Sequence, residues 1–148
     1  MFLIKSDLSL LLRKDLDCSD SGNAVLASGV SGSWVTISGA GANARLTAGA
    51  TELAWPVFNE SKRDQTIGGW TPDVLNSKKV TVLAGKYFAT TDQYTGVTAI
   101  GPLVTGANGK LAAATEGTST NVVAYCVKAP YSYNYLGNSL TVIDIYVM

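Results

Sequence analysis

The chain has 148 residues, of which eleven basic side chains balance eleven acidic ones, and it contains no histidine. That length fits one domain with a real core. Charged residues make up 15%, well under the roughly one quarter of an average soluble domain, which favours association over life as a lone molecule. The absence of any basic excess removes the electrostatic footprint of nucleic-acid binding.

The opening stretch, "MFLIKSDLSLLL", is apolar but broken by Lys5 and Asp7, with no basic lead and no small-residue cleavage site. It does not read as a signal peptide. Residues 21–44 carry no charge but are too rich in Gly, Ser, Ala and Asn for a bilayer helix. The expectation is synthesis in a cytoplasm without membrane insertion. Ser6 can cap a short helix whose one face carries Leu8, Leu11, Leu12 and Leu16, closed by the polar cluster Asp17 to Gly22. Residues 1–22 are therefore expected to be an N-terminal arm with a short amphipathic helix. So short a helix must dock its leucine face, on its own domain or on another subunit.

From residue 23 onward the pattern is that of a single β domain reaching residue 148. "SWVTISG" alternates as a strand does, and the Gly/Ala-rich stretch after it reads as loop. Pro56 in "TELAWPVFNE" places that strand at an edge or a bulge. "SKRDQTIGGWTPDVLNS" is a long polar insertion, and loops of that length are usually functional. "KVTVLAG" and "KYFATTDQY" read as extended, and Asn108-Gly109 between "PLVT" and "KLAAA" signals a hairpin. "NVVAYCVKA" is nearly continuous in apolar residues, as in a central strand buried on both faces. "SLTVIDIYVM" alternates to the last residue. The sum is an all-β fold, a β-barrel or β-sandwich of about eight to ten short strands.

Motifs that resemble chemistry fail on inspection. "GAGANA", residues 39–44, matches a dinucleotide fingerprint but lacks the following helix and βαβ rhythm. "GANGKL" lacks the Ser or Thr after Lys110 and the earlier glycine of a phosphate loop. Without histidine the usual Ser-His and Cys-His nucleophile pairs are missing, and two cysteines give no zinc spacing. Cys18 and Cys126 read as reduced, buried thiols. The carboxylates Asp64, Asp73, Asp92, Glu116 and Asp144 are scattered, and Asn59-Glu60-Ser61 is a glycosylation sequon by letter only. No catalytic, metal-ligating or cofactor-binding residue is assigned.

The aromatics remain. Trp34 and Trp55 read as core. Trp70, in the long polar insertion, is either a lid or an anchor for a partner's pocket. Tyr131, Tyr133 and Tyr135 fall in "YSYNY" between Pro130 and Gly137. They form either a ladder packed on a sheet face or a tyrosine-rich contact surface. The candidate partner-binding residues are thus Leu8, Leu11, Leu12, Trp70, Tyr131, Tyr133 and Tyr135.

"KVTVLAGKYFATTDQY", "PLVTGANGKLAAA" and "NVVAYCVKA" followed by "SLTVIDIYV" form a succession that resembles small virion proteins of tailed bacteriophages, in particular head decoration (cement) proteins. The "RD" and "GWTPD" ahead of it fit as well, so the resemblance covers roughly residues 55–148. It implies a β-rich, non-enzymatic structural protein on the outer surface of a virion capsid. Its partners would be the major capsid protein and copies of itself, as a dimer or trimer, with no cofactor. The alternative is a tail- or fibre-associated β module that recognises host-surface carbohydrate.

Overall fold

The structure is a computed structural model that describes residues 1–6, 11–25, 30–37, 43–49, 53–58, 78–115, 117 and 121–148. The all-β expectation holds. Twelve strands run through these residues: β1 Phe2–Ile4, β2 Leu12–Asp17, β3 Trp34–Ile37, β4 Ala44–Leu46, β5 Trp55–Pro56, β6 Lys79–Ala84, β7 Tyr87–Thr91, β8 Tyr94–Thr95, β9 Gly101–Thr105, β10 Leu111–Ala113, β11 Ala124–Tyr135 and β12 Asn138–Val147. They outnumber the expected eight to ten because several are only two or three residues long. No described helix is long and apolar enough to cross a membrane.

Seven strands form one sheet in the order β1-β7-β12-β11-β9-β10-β8, while β2-β6 and β4-β3-β5 form two smaller ones. Single bridges, Val57 to Val82 and Asp17 to Asn43, link the small sheets to each other. No sheet among the described residues closes into a barrel by continuous ladders. The inner face of the large sheet carries Tyr87, Ala89, Leu103, Ala124, Cys126, Ile143, Ile145 and Val147 into the main core, where Trp34 and Leu83 join from the small sheets. Leu16, Cys18, Val25, Val35, Val57, Val80 and Val82 form a second core. Adjacent side chains on a strand point to opposite faces. Trp34 and Val35 on β3, like Leu83 and Val82 on β6, therefore feed different cores, and these two strands form a wall shared by both. Cys18 and Cys126 are buried free thiols in separate cores. Burial pushes the Cys18 thiol up to about 11.

The helix expected near the N-terminus is replaced by strand. β2 pairs antiparallel with β6 from Leu12↔Ala84 to Asp17↔Lys79, so tertiary pairing overrides the local helical period. The leucines consequently part company. Leu16 enters the second core, Leu11 packs on the main one, and Leu12 is 75% exposed. β1 is likewise a strand of the large sheet, paired with β7.

The β9–β10 hairpin forms where Asn108-Gly109 predicts it, with both residues in the left-handed region at φ 57° and 70°. Its turn is clamped against the small sheets by Thr47. The Gly109 N–H donates to the Thr47 carbonyl at 3.1 Å, and the Thr47 hydroxyl donates to the Gly106 carbonyl at 3.0 Å.

Candidate interaction face

The outer face of the large sheet is built by register. Pro102, Tyr125, Tyr146 and Phe88 are direct cross-strand neighbours on β9, β11, β12 and β7. They form a row opposite the core, because Ile145 and Val147, on the other parity of β12, point inward. The Phe88 and Tyr146 rings lie 5.0 Å apart between centroids. Phe88 and Tyr125 remain 48% and 42% exposed. "NVVAYCVKA" is thus a central strand, but it is buried on one face only: Ala124 and Cys126 are inside, whereas Tyr125 and Val127 are exposed.

Two irregularities in β11, between Cys126 and Lys128 and between Lys128 and Tyr131, shift its register against β12. Each adds one residue to β11, so the outer-facing residues run Tyr125, Lys128, Tyr131, Tyr133, Tyr135, opposite Tyr146, Asp144, Val142, Leu140 and Asn138. Pro130 falls inside the second irregularity, which is where a strand tolerates proline. The strand therefore passes through Pro130 instead of stopping there. β11 and β12 continue past their neighbours. β9 flanks β11 only up to Cys126 and β7 flanks β12 only from Ile143, so the remainder projects as a two-stranded hairpin among the described residues.

A polar cluster sits where the hairpin leaves the sheet. The Asp144 carboxylate accepts from the Thr90 hydroxyl at 2.6 Å, the Tyr131 hydroxyl at 2.9 Å and the Lys5 ammonium at 2.9 Å. Burial pushes the Asp144 carboxyl up, but the hydrogen bonds from Thr90, Lys5 and Tyr131 and the Lys5 charge outweigh it and hold it below the ordinary value. The Tyr131 hydroxyl is raised, first by burial and then by its bond to Asp144. Lys128 places its ammonium 3.6 Å from the Tyr131 ring centre, and Tyr133 meets Tyr131 edge-on at 6.5 Å. Tyr131, Tyr133 and Tyr135 are each half-buried, a ladder on one side of the hairpin that still offers ring surface.

The hairpin tip breaks a local rule. The two-residue turn Leu136-Gly137 needs positive φ at both positions, and Leu136 adopts 51° while leaving its side chain 59% exposed. Asn-Gly is the sequence such a turn prefers. A branched apolar residue there costs stability and gains nothing within the described chain, a mismatch that accumulates at functional sites.

Of the sequence-based candidates, Tyr131, Tyr133 and Tyr135 fall together on this face. Leu11 and Leu12 lie elsewhere, on or beside β2. Leu8 and Trp70 are outside the described residues, as are the whole of the long insertion and the sequon. Phe88, Tyr125, Tyr146 and Leu136 escaped sequence reasoning. The first three are distant in the chain and meet only through register, although two-sided apolarity in "VVAYCV" was a signal for Tyr125. Two small surface cavities measure about 150 Å³ each, one lined by Trp34, Trp55 and Val123, the other, at the Pro102 end of the row, by Ile100 and Pro102. Both are below the roughly 300 Å³ at which small-molecule sites begin. The described residues hold no cluster of three His, Cys, Asp or Glu side chains arranged for a metal. The chain matches no protein-family model and none of the curated proteins searched.

Proposed function

We propose that the protein is a structural binding module that attaches to the outer surface of a bacteriophage capsid and stabilises it. The observation that carries the binding role is the set of aromatic rings on one face, the Phe88–Tyr146–Tyr125 row and, beyond the Lys128–Asp144 polar cluster, the tyrosines of the projecting hairpin. Rigid aromatic rings bury much area at little entropic cost, and they dominate protein–protein hot spots. The capsid as partner comes from the resemblance of residues 55–148 to head decoration proteins. A lattice-bound protein of this kind needs only modest affinity per contact, since linked contacts raise avidity by about 10²–10⁴.

The test is immunogold labelling of purified phage particles combined with heat challenge of heads made with and without the protein. Label on heads, with unlabelled heads that assemble but lose DNA at lower temperature, is the expected result. Label confined to tails overturns it. That outcome would favour the second reading, a host-carbohydrate module, for which the exposed rings of Phe88 and Tyr125 offer stacking surfaces. Equal heat stability with and without the protein also overturns the stabilising role.

A further inference from the structure

We infer that Asn108-Gly109, in the turn of the β9–β10 hairpin, is a covalent modification site guarded by the fold. While the turn is docked it is inert. Once it lifts, Asn108 deamidates through a cyclic imide, and a turn converted to isoaspartate no longer docks.

Glycine follows asparagine at this one place in the sequence. A deprotonated backbone nitrogen can attack the carboxamide of the residue before it, and glycine offers that nitrogen with no side chain in the way. The bond that forms joins the Gly109 nitrogen to Asn108 Cγ. The bond that breaks is Cγ–Nδ2, and ammonia leaves. Water then opens the five-membered imide at either carbonyl, giving aspartate or isoaspartate, and each product adds a negative charge. Asn108 is exposed, so water reaches it.

The folded turn blocks the first step. Asn108 sits at φ 57° and ψ 32°. Substituents on its tetrahedral Cα are about 120° apart, so at this ψ the Gly109 nitrogen stands about 150° from Cβ in torsion, nearly on the opposite side. Ring closure needs the two almost eclipsed. The nitrogen is also occupied, because its N–H donates to the Thr47 carbonyl at 3.1 Å. Rotation about ψ is prevented while the turn is seated. The Thr47 hydroxyl holds the Gly106 carbonyl at 3.0 Å, and Gly109 is buried so closely on β3 that a Cβ there would lie 2.9 Å from the Trp34 carbonyl oxygen. Attack therefore waits for the turn to leave Thr47 and β3.

The isoaspartate product does not fit the seat. Its main chain runs through Cγ, which lengthens the backbone by one carbon. This turn is closed by the Gly106 N–H donating to the Lys110 carbonyl at 2.6 Å. A longer loop cannot keep that closure and still present the Gly109 N–H to Thr47. Aspartate, by contrast, keeps the backbone, tolerates the left-handed region and puts its carboxylate in solvent. Formation of isoaspartate is thus a one-way step that follows opening and prevents closing.

The test holds the full chain at mildly alkaline pH, folded or in guanidinium chloride, and follows residue 108 by peptide mapping and isoaspartyl-methyltransferase labelling. Conversion should be at least about ten-fold faster in the unfolded chain, a protection that needs only about 1.4 kcal/mol of docking. Thr47→Val, which removes the hydroxyl clamp, should speed conversion of the folded chain several-fold and leave the unfolded rate unchanged. If that variant does not fold, hydrogen exchange at the Gly109 amide of the wild type serves instead, and its protection should match the protection against deamidation. After denaturant is removed, the isoaspartate fraction should fall short of the wild-type Tm. Asn108→Asp and Asn108→Gly should regain it, the glycine variant with no conversion at residue 108. Equal rates in the folded and unfolded chain overturn the inference. So does conversion chiefly at another asparagine such as Asn138, or an isoaspartate chain that melts like wild type.

Discussion

Gly109 and Gly22 offer a matched pair for weighing backbone strain against steric fit. Both adopt φ near +70°, so alanine at either position meets the same left-handed penalty, about 1 kcal/mol. Alanine also narrows the unfolded ensemble equally at both sites, so that contribution cancels in the comparison. The surroundings differ. At Gly22 a Cβ finds nothing within 4 Å, whereas at Gly109 it would sit 2.9 Å from the Trp34 carbonyl oxygen and 3.2 Å from the Trp34 nitrogen. Those are backbone atoms of β3, the strand that walls both cores, and they cannot swing aside. Overpacking of this kind costs about 1–3 kcal/mol, so Gly109→Ala should lose about 2–4 kcal/mol and Gly22→Ala about 1. For a domain of this size each kcal/mol moves Tm by about 2–4 °C. Differential scanning calorimetry should show a drop of about 6–12 °C for Gly109→Ala and about 3 °C for Gly22→Ala. Equal drops would refute the close docking of the β9–β10 turn on β3.

Leu136→Asn relieves the strained turn and should stabilise the isolated chain by about 0.5–1 kcal/mol in urea unfolding, while weakening association; a stability loss would contradict the reading of the tip. Asp144→Asn should cost about 1 kcal/mol at neutral pH, since charge-assisted bonds to a partly exposed group are lost. The Asp144 carboxyl is held below its ordinary value, so its contribution is complete above about pH 4 and is lost as pH falls through the folded-state value. Urea midpoints of wild type and variant should therefore converge on acidification, and a gap that widens below pH 4 would show the sign to be wrong. Deleting residues 1–20 removes β1 and β2, exposes β7 and β6, and takes Phe2 and Leu16 from the two cores; loss of the cooperative melting transition is expected, and a truncated chain that still melts cooperatively would mean these strands are dispensable.

Period-two alternation makes β3, β6, β7 and β12 legible in the sequence, and turn chemistry makes the β9–β10 hairpin legible, because in those places local and tertiary preferences agree. They disagree in β2. Its leucine spacing fits a helix, and only the ladder with a strand some 67 residues away settles it as extended. The bulge at Pro130 is hidden in the same way, because a bulge is invisible until its partner strand is known. The interaction face is half legible. "YSYNY" stands out by composition, but Phe88, Tyr125 and Tyr146 become neighbours only through the register of three strands. Leu136 is hidden because Leu-Gly is not a turn signature.

The pairing of β1 with β7, Phe2 against Thr91, also fixes an order of events at the ribosome. At roughly 5–20 residues per second, about 90 residues of synthesis leave the first strand without its partner for on the order of 4–18 s. The main core stays open longer still, until Ile143 and Ile145 have been made. Sheets assembled from such distant segments form late and slowly. Through that interval the N-terminal strands are bare, and the side chains that protect them are already in place. Arg13, Lys14, Asp15 and Asp17 put four charges into the six residues of β2, enough to discourage one nascent chain from adding its strand to another. The charges that would line the polar face of a helix are, on this strand, what lets it wait.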